Sequence, residues 1–136
     1  MKRVHQLRVE DGPGHFKSLV KTARDAGIRI GWLEFGSATI PEPLASASAT
    51  GVFRSVQVDE AVTMSVKNRK GPPVTRDLLR EHFQGCSLIL VSGGDAPAFL
   101  RGDNDRWTVS ALDGAESTFT TDELVAALRR VRPFGV

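Results

Sequence analysis

The sequence has little of what anchors or cross-links a chain. A single cysteine, Cys86, excludes an internal disulfide and a zinc site built from cysteines. The strongly apolar runs are short, with residues 88–91 as an example, so no transmembrane helix is predicted. The first residues become polar at once and lack the apolar core of a signal peptide. We therefore expect a soluble, cytoplasmic protein that makes no membrane contact.

Neither sign of charge dominates the composition. Lysine and arginine number 18 against 16 aspartate and glutamate, which gives a formal net charge of +2. This balance excludes both an acidic disordered chain and a histone-like cation. A chain of 136 residues is long enough to bury a core without disulfides or metal. We predict a single domain over residues 1–136.

The motifs of common enzymes and cofactor sites are missing. The sequence has no Gly-x-Ser-x-Gly, no Gly-x-Gly-x-x-Gly and no P-loop. Its three histidines, His5, His15 and His82, lie far apart and lack the spacing of a metal site. We therefore expect no catalytic residues, no metal and no cofactor, and an enzyme is the less favoured class.

Hydrophobic periodicity and turn residues predict both helices and strands. Helices are predicted over residues 15–26 and 73–84, and a third starts at a capping box formed by Thr120 and Glu123 and ends near residue 132. The stretch 41–50, rich in alanine, serine and proline, is predicted as a flexible loop. Strands are predicted over residues 4–9, 28–40, 52–58, 61–66, 86–91, 98–100 and 106–111. Segregated strands indicate an α+β fold, a mostly antiparallel sheet flanked by two or three helices.

Basic residues gather at two places, and both are candidate phosphate contacts for nucleic acid. Basic residues near a helix C-terminus also complement the helix dipole, which is a purely structural role. The first cluster is a polar turn and the second follows the last helix: Lys67, Arg69 and Lys70, then Arg129, Arg130 and Arg132.

A second set of residues suggests a small-molecule site. Trp32 and Glu34 share one face of a predicted strand, with Leu33 and Phe35 on the other. A glycine-rich loop after the apolar strand at 86–91 could offer backbone N–H groups to an anion. The alternatives are a solvated strand face, a capping histidine and an ordinary β-turn. The candidate ligand-binding residues are Trp32, Glu34, His82, Ser92, Gly93 and Gly94.

Two segments resemble the PPC (plants and prokaryotes conserved) domain family. Residues 4–38 combine an apolar-Arg-apolar strand, a helix ending in Gly27-Ile28 and a glycine-containing strand. Residues 81–90 are similar to that family's Gly-Gly-His-Leu segment and the strand that follows it. Arg80-Glu81 replace the two glycines, and residues 71–76 lack the family's His-x-His, so His82 is the one matching histidine.

The resemblance implies an α+β domain that assembles as a homo-oligomer, specifically a homotrimer, and associates with DNA. Plant members carry AT-hook motifs, whereas this chain has none, so any DNA contact would come from the domain itself. The favoured function is a non-enzymatic, DNA-associated or regulatory module. The alternatives are a small-molecule binder or enzyme with a pocket near Trp32, Glu34 and His82, and a protein-interaction or self-assembly subunit.

Overall fold

A computed structural model describes residues 4–36, 39–94, 96–130 and 134. The chain forms two compact units, each taken over its described residues. The first comprises Met1–Gly36 and Phe83–Val136, and the second comprises Ser37–His82. In sequence, the second unit is therefore inserted into the first. The sequence predicted a single domain over residues 1–136. It did not indicate the insertion, because ordinary turn residues stand at both ends of the second unit.

The described residues form four α-helices and eight strands, and a 3-10 turn at Pro13–Phe16 precedes the first helix. In chain order the elements are β1 (His5–Val9), α1 (Lys17–Asp25), β2 (Ile30–Glu34), α2 (Leu44–Ala49), β3 (Arg54–Val58), β4 (Thr63–Lys67), α3 (Thr75–His82), β5 (Leu88–Ser92), β6 (Phe99–Asp103), β7 (Arg106–Ser110), β8 (Glu116–Phe119) and α4 (Thr121–Ala127). The predicted α+β class is confirmed.

The first unit contains a six-stranded sheet in the order β2-β5-β1-β6-β7-β8. The sheet is mixed, whereas the sequence predicted a mostly antiparallel one. Strands β2, β5, β1 and β6 run parallel, and β6, β7 and β8 form an antiparallel meander. Parallel strands need crossover connections, and α1 provides one between β1 and β2. Element order alone did not reveal this arrangement.

The core of the first unit lies around β5 and an aromatic stack. Strand β5 has sheet neighbours on both sides, and its residues from Leu88 to Val91 are almost fully buried. The rings of Phe16 and Trp107 stack with centroids 5.6 Å apart, and both side chains are buried. Leu19 of α1 belongs to the same buried cluster. The fully apolar run of the sequence is thus a buried parallel strand, as expected.

Several predicted elements differ from the structure. The strand predicted over 28–40 ends at Glu34, and the stretch 41–50 contains α2 instead of a flexible loop, with Leu44 buried. A helix of six residues is too short to show periodicity in the sequence. Strand β8 was not predicted, and it pairs antiparallel with β7. The expected end of the last helix near residue 132 lies outside the described residues.

The second unit is built on a hairpin of β3 and β4, which correspond to the strands predicted over 52–58 and 61–66. Arg54 pairs with Lys67 at its open end, and Val58 pairs with Thr63 next to the turn. Asp59 fixes that turn, because its Oδ1 accepts hydrogen bonds from the backbone N–H groups of Ala61 at 2.8 Å and of Val62. These bonds lower the pKa of the Asp59 carboxyl. Helix α2 contacts both strands of the hairpin.

The side chains of Trp107 and Thr121 form a buried hydrogen bond. The Thr121 hydroxyl accepts from Trp107 Nε1 at 2.9 Å and donates to the carbonyl oxygen of Asn104 at 2.9 Å. Thr121→Val would leave the buried indole N–H without an acceptor. We expect it to lower the free energy of unfolding by about 1–3 kcal/mol, measured by urea denaturation. Thr118→Val, an exposed control on β8, should change it by under about 0.5 kcal/mol. Equal losses in both variants would contradict this account.

Candidate nucleic-acid interface

The first predicted basic cluster lies in the second unit, where β4 ends and the chain turns. Lys67 is the last residue of β4, and its partner in register on β3 is Arg54. Arg69 and Lys70 follow in an exposed turn that ends at Gly71, whose φ of +79° suits a glycine. The structure therefore adds Arg54 to the basic cluster, a residue that sequence proximity alone did not connect to it.

Two clefts share the side chains of Lys67, Arg69 and Lys70 as lining. One cleft has a volume of about 460 Å³, and we call it the ring cleft because it contains an exposed phenylalanine. The other has a volume of about 400 Å³ and includes α3 residues, so we call it the helix cleft. The remaining lining residues are Gly51, Phe53 and Asn68 in the ring cleft, and Ser65, Pro72, Pro73, Val74, Asp77, Leu78, Glu81 and His82 in the helix cleft.

Phe53 is the functional candidate that sequence reasoning missed. Its side chain is 67% exposed, although phenylalanine is among the residue types most often buried. Lys67 Nζ lies 5.6 Å from the centroid of its ring, and Arg54 Cζ lies 5.9 Å from it. The available signal was the adjacent pair Phe53-Arg54, an aromatic residue beside a cation. The pair is recognisable as a candidate site only when the hairpin register places Lys67 next to Arg54 and the Phe53 ring.

Asn68 holds the backbone that carries Phe53. The Asn68 backbone N–H donates to the carbonyl oxygen of Phe53 at 3.0 Å. Its side-chain Nδ2 donates to the carbonyl oxygen of Val52 at 2.8 Å, and its Oδ1 accepts from the Ser48 hydroxyl of α2 at 2.8 Å. The ring therefore projects from a backbone segment in which the carbonyl oxygens of Val52 and Phe53 both accept hydrogen bonds from Asn68.

Glu81 of α3 is the acidic partner of this surface. It accepts from Lys67 Nζ at 3.1 Å and from the Arg54 guanidinium, and His82 Nε2 lies 3.8 Å from its Oε2. The Lys67 hydrogen bond is the main reason that the pKa of Glu81 is lowered. The salt bridges found in the described residues of the second unit all converge on Glu81. Within that part of the chain, no salt bridge joins Arg69 or Lys70 to a carboxylate, and Arg69 Nε donates to the carbonyl oxygen of Gly71 at 3.4 Å.

The second basic cluster belongs to the first unit. Arg129 donates to the carbonyl oxygen of Ala26, just after α1, at 2.6 Å. It also lines a groove of about 520 Å³ together with Asp25 and Asp122. Arg130 is exposed, and Arg132 lies outside the described residues. The hydrogen bond of Arg129 favours the structural alternative for this residue, because it satisfies a carbonyl at the end of a helix.

The residues of the predicted ligand pocket are divided between the units. Trp32 and Glu34 share one face of β2, as expected, and Trp32 Nε1 donates to Glu34 Oε1 at 3.2 Å. The Trp32 ring packs against the buried core, with the Phe16 ring 6.1 Å away. His82 lies in the second unit and lines the helix cleft with the basic cluster. The structure thus groups Trp32 with Glu34, and His82 with Lys67, Arg69 and Lys70.

The glycine-rich loop at Ser92, Gly93 and Gly94 has a packing role. The Ser92 carbonyl oxygen accepts from the Phe35 N–H at 2.9 Å. A Cβ atom on Gly94 would come within 2.9 Å of the Phe35 ring, and both glycines have positive φ, +85° and +72°. The two glycines are therefore explained by the close approach of Phe35. Asp95, which would complete the proposed anion loop, lies outside the described residues.

Other chemically reactive groups were also located. Burial raises the pKa of the Cys86 thiol, and the nearby charge of Arg29 opposes that shift only in part. Among the described residues, no group of three or more His, Cys, Asp and Glu side chains is placed to hold a metal ion. The helices in the same part of the chain include none that could span a membrane.

A pH-dependent contribution to stability is expected from Glu81. Its lowered pKa means that the folded state binds the proton more weakly than the unfolded state. The contribution is therefore present above the ordinary glutamate pKa and lost as pH falls through the lower folded-state value. Urea unfolding should show Glu81→Gln less stable than wild type at about pH 6, with a smaller difference at about pH 3. The exposed turn variant Glu60→Gln should show no such convergence. A Glu81→Gln difference that is the same at both pH values would contradict the ion-pair account.

No protein-family model matches this chain, and no curated protein matches it. The functional assignment therefore depends on the chemistry of the second unit's surface.

Proposed function

We propose that this chain is a nucleic-acid-binding module whose second unit contacts phosphates through Lys67, Arg69 and Lys70. The observation that supports it is the shared lining of two clefts by these three cations. Only Lys67 among them has a carboxylate partner in the described residues. Arg69 and Lys70 can therefore bind an anion without first breaking an ion pair.

Binding of this kind is local and electrostatic. The chain's net charge of +2 is too small to attract nucleic acid as a whole, so the attraction has to come from the cluster. Each lysine or arginine that neutralises a phosphate releases a condensed counterion, so affinity falls as salt rises. An arginine can also hold two phosphate oxygens with its planar fork, whereas a lysine acts as a point charge.

The resemblance to PPC domains supports the same proposal. It implies a non-enzymatic, DNA-associated module, and the lack of an AT-hook assigns the contact to the domain itself. The cytoplasmic location expected from the sequence is compatible with such a role. Arg129, Arg130 and Arg132 are secondary candidates, because Arg129 already bonds to Ala26.

The test is fluorescence anisotropy of a labelled oligonucleotide at several salt concentrations. Arg69→Gln/Lys70→Gln should weaken binding at low salt. It should also reduce the magnitude of the negative slope of log K against log salt by about 2, since each lost phosphate contact reduces it by about 1. Lys17→Gln/Arg24→Gln removes one lysine and one arginine that are exposed on α1 and is the matched control. No binding by wild type at low salt, or equal slopes in both double variants, would refute the proposal.

We propose in addition that the chain self-associates, as the resemblance implies. Alternate residues of β3 carry apolar side chains into solvent: Val56 is 54% exposed and Val58 is 69% exposed. A second copy of the chain would cover them, and the homotrimer is the expected state. Val56→Thr/Val58→Thr should shift the mass measured by sedimentation from trimer toward monomer. A strictly monomeric wild type at high concentration would refute this part of the proposal.

A further inference from the structure

We propose that the nucleic acid bound by the second unit is single-stranded and that Phe53 stacks on one of its bases. This inference rests on the proposed phosphate contacts of Lys67, Arg69 and Lys70 and adds to them a base contact. It specifies the class of ligand, which the charges alone leave open.

The exposed ring and the cations form one surface. Several apolar side chains of the second unit are exposed, and Phe53 is the one that lines the ring cleft of about 460 Å³ together with Lys67, Arg69 and Lys70. Proteins that bind single strands combine a positively charged groove with aromatic side chains on which bases stack. Both components are present within this cleft.

The position of the cations fits a stacked nucleotide. Lys67 Nζ and Arg54 Cζ lie 5.6 and 5.9 Å from the Phe53 ring centroid. Glu81 holds both of these cations from α3, so their charges are partly compensated beside the ring. Arg69 and Lys70 line the same cleft without such compensation. A base on Phe53 would therefore place its flanking phosphates among side chains of opposite charge.

The backbone around the ring is already organised for binding. The Asn68 backbone N–H donates to the Phe53 carbonyl oxygen, and the Asn68 side chain donates to the Val52 carbonyl oxygen. The Ser48 hydroxyl of α2 donates to the Asn68 side-chain oxygen. Gly51, with a φ of +90°, lines the open side of the cleft, and an added Cβ there would meet no atom within 4 Å. A platform that does not need ordering loses less free energy when it binds.

The geometry favours a single strand over a duplex. Within a duplex both faces of every base are covered by its neighbours, so a protein ring can stack only on a base that has left the stack. A phenylalanine that enters a duplex as a wedge must overcome an unstacking cost of about a few kcal/mol per base step. Unpaired bases expose their faces at no such cost, and stacking tolerates any sequence.

The experiment compares a labelled single strand of about 12 thymidines, a length typical of one binding module, with a duplex of equal length. Phe53→Leu keeps an apolar side chain and removes the ring, and Phe53→Trp keeps a ring. We expect Phe53→Leu to weaken single-strand binding by about 5- to 100-fold, Phe53→Trp to retain it, and both to keep the wild-type salt slope because no charge is lost. Wild type should bind the single strand more tightly than the duplex. Thermal unfolding of each variant confirms that the fold is kept.

The outcomes separate this inference from the proposed function. Failure of wild type to bind either oligonucleotide at low salt would refute both. Salt-dependent binding with Phe53→Leu equal to wild type, or with the duplex bound as tightly as the single strand, would overturn the stacking inference and leave the phosphate contacts intact. Loss of self-association in Phe53→Leu, with unchanged single-strand binding, would identify the ring as a protein contact and also overturn it.

Discussion

The register of β3 against β4 is the constraint on which the second unit's surface depends. It pairs Arg54 with Lys67, which brings two cations to one end of the hairpin and within reach of Glu81. The ladder is extended by one more bond, from the Asn68 N–H to the Phe53 carbonyl oxygen. A slip of one residue would turn the cations to the other face and detach Phe53 from Asn68. The pairing of β3 with β4 thus positions Arg54, Lys67 and the Phe53 ring next to one another at the ring cleft.

Elements with a strong local signal could be predicted from the sequence. The capping box of Thr120 and Glu123 is present at the start of α4, with each side chain bonded to the other residue's backbone N–H. The basic turn was identified as a candidate site from residue type alone. Parallel pairing, the inserted unit and the position of Phe53 beside two cations could not be predicted, because each depends on which distant segments meet. Arg54 and Lys67 are separated by a whole hairpin in sequence and are neighbours only in the sheet.

The first unit shows why residue type by itself misleads. Gly93 and Gly94 had the composition of an anion loop, yet a Cβ on Gly94 would come within 2.9 Å of the Phe35 ring, and a Cβ on Gly93 within 3.2 Å of the Phe35 Cβ. Arg129 had the charge of a phosphate contact, yet it bonds to the carbonyl oxygen of Ala26. In both cases a packing or hydrogen-bonding demand explains the residue. In the second unit, Arg69 donates to the carbonyl oxygen of Gly71 at 3.4 Å, but no salt bridge in the described residues holds Arg69 or Lys70. The 67% exposed Phe53 lies in the same cleft, and this combination supports a binding role for the second unit.

The most direct measurement is a two-dimensional NMR titration of the isotope-labelled chain with unlabelled oligothymidine. The account predicts that the largest shift changes fall on the Phe53 ring and on the backbone N–H groups of residues 67–70. It also predicts that the signals of Trp32, Glu34 and residues 92–94 stay in place. Changes concentrated on those first-unit residues, or no changes at any oligonucleotide concentration, would contradict the assignment of nucleic-acid binding to this surface.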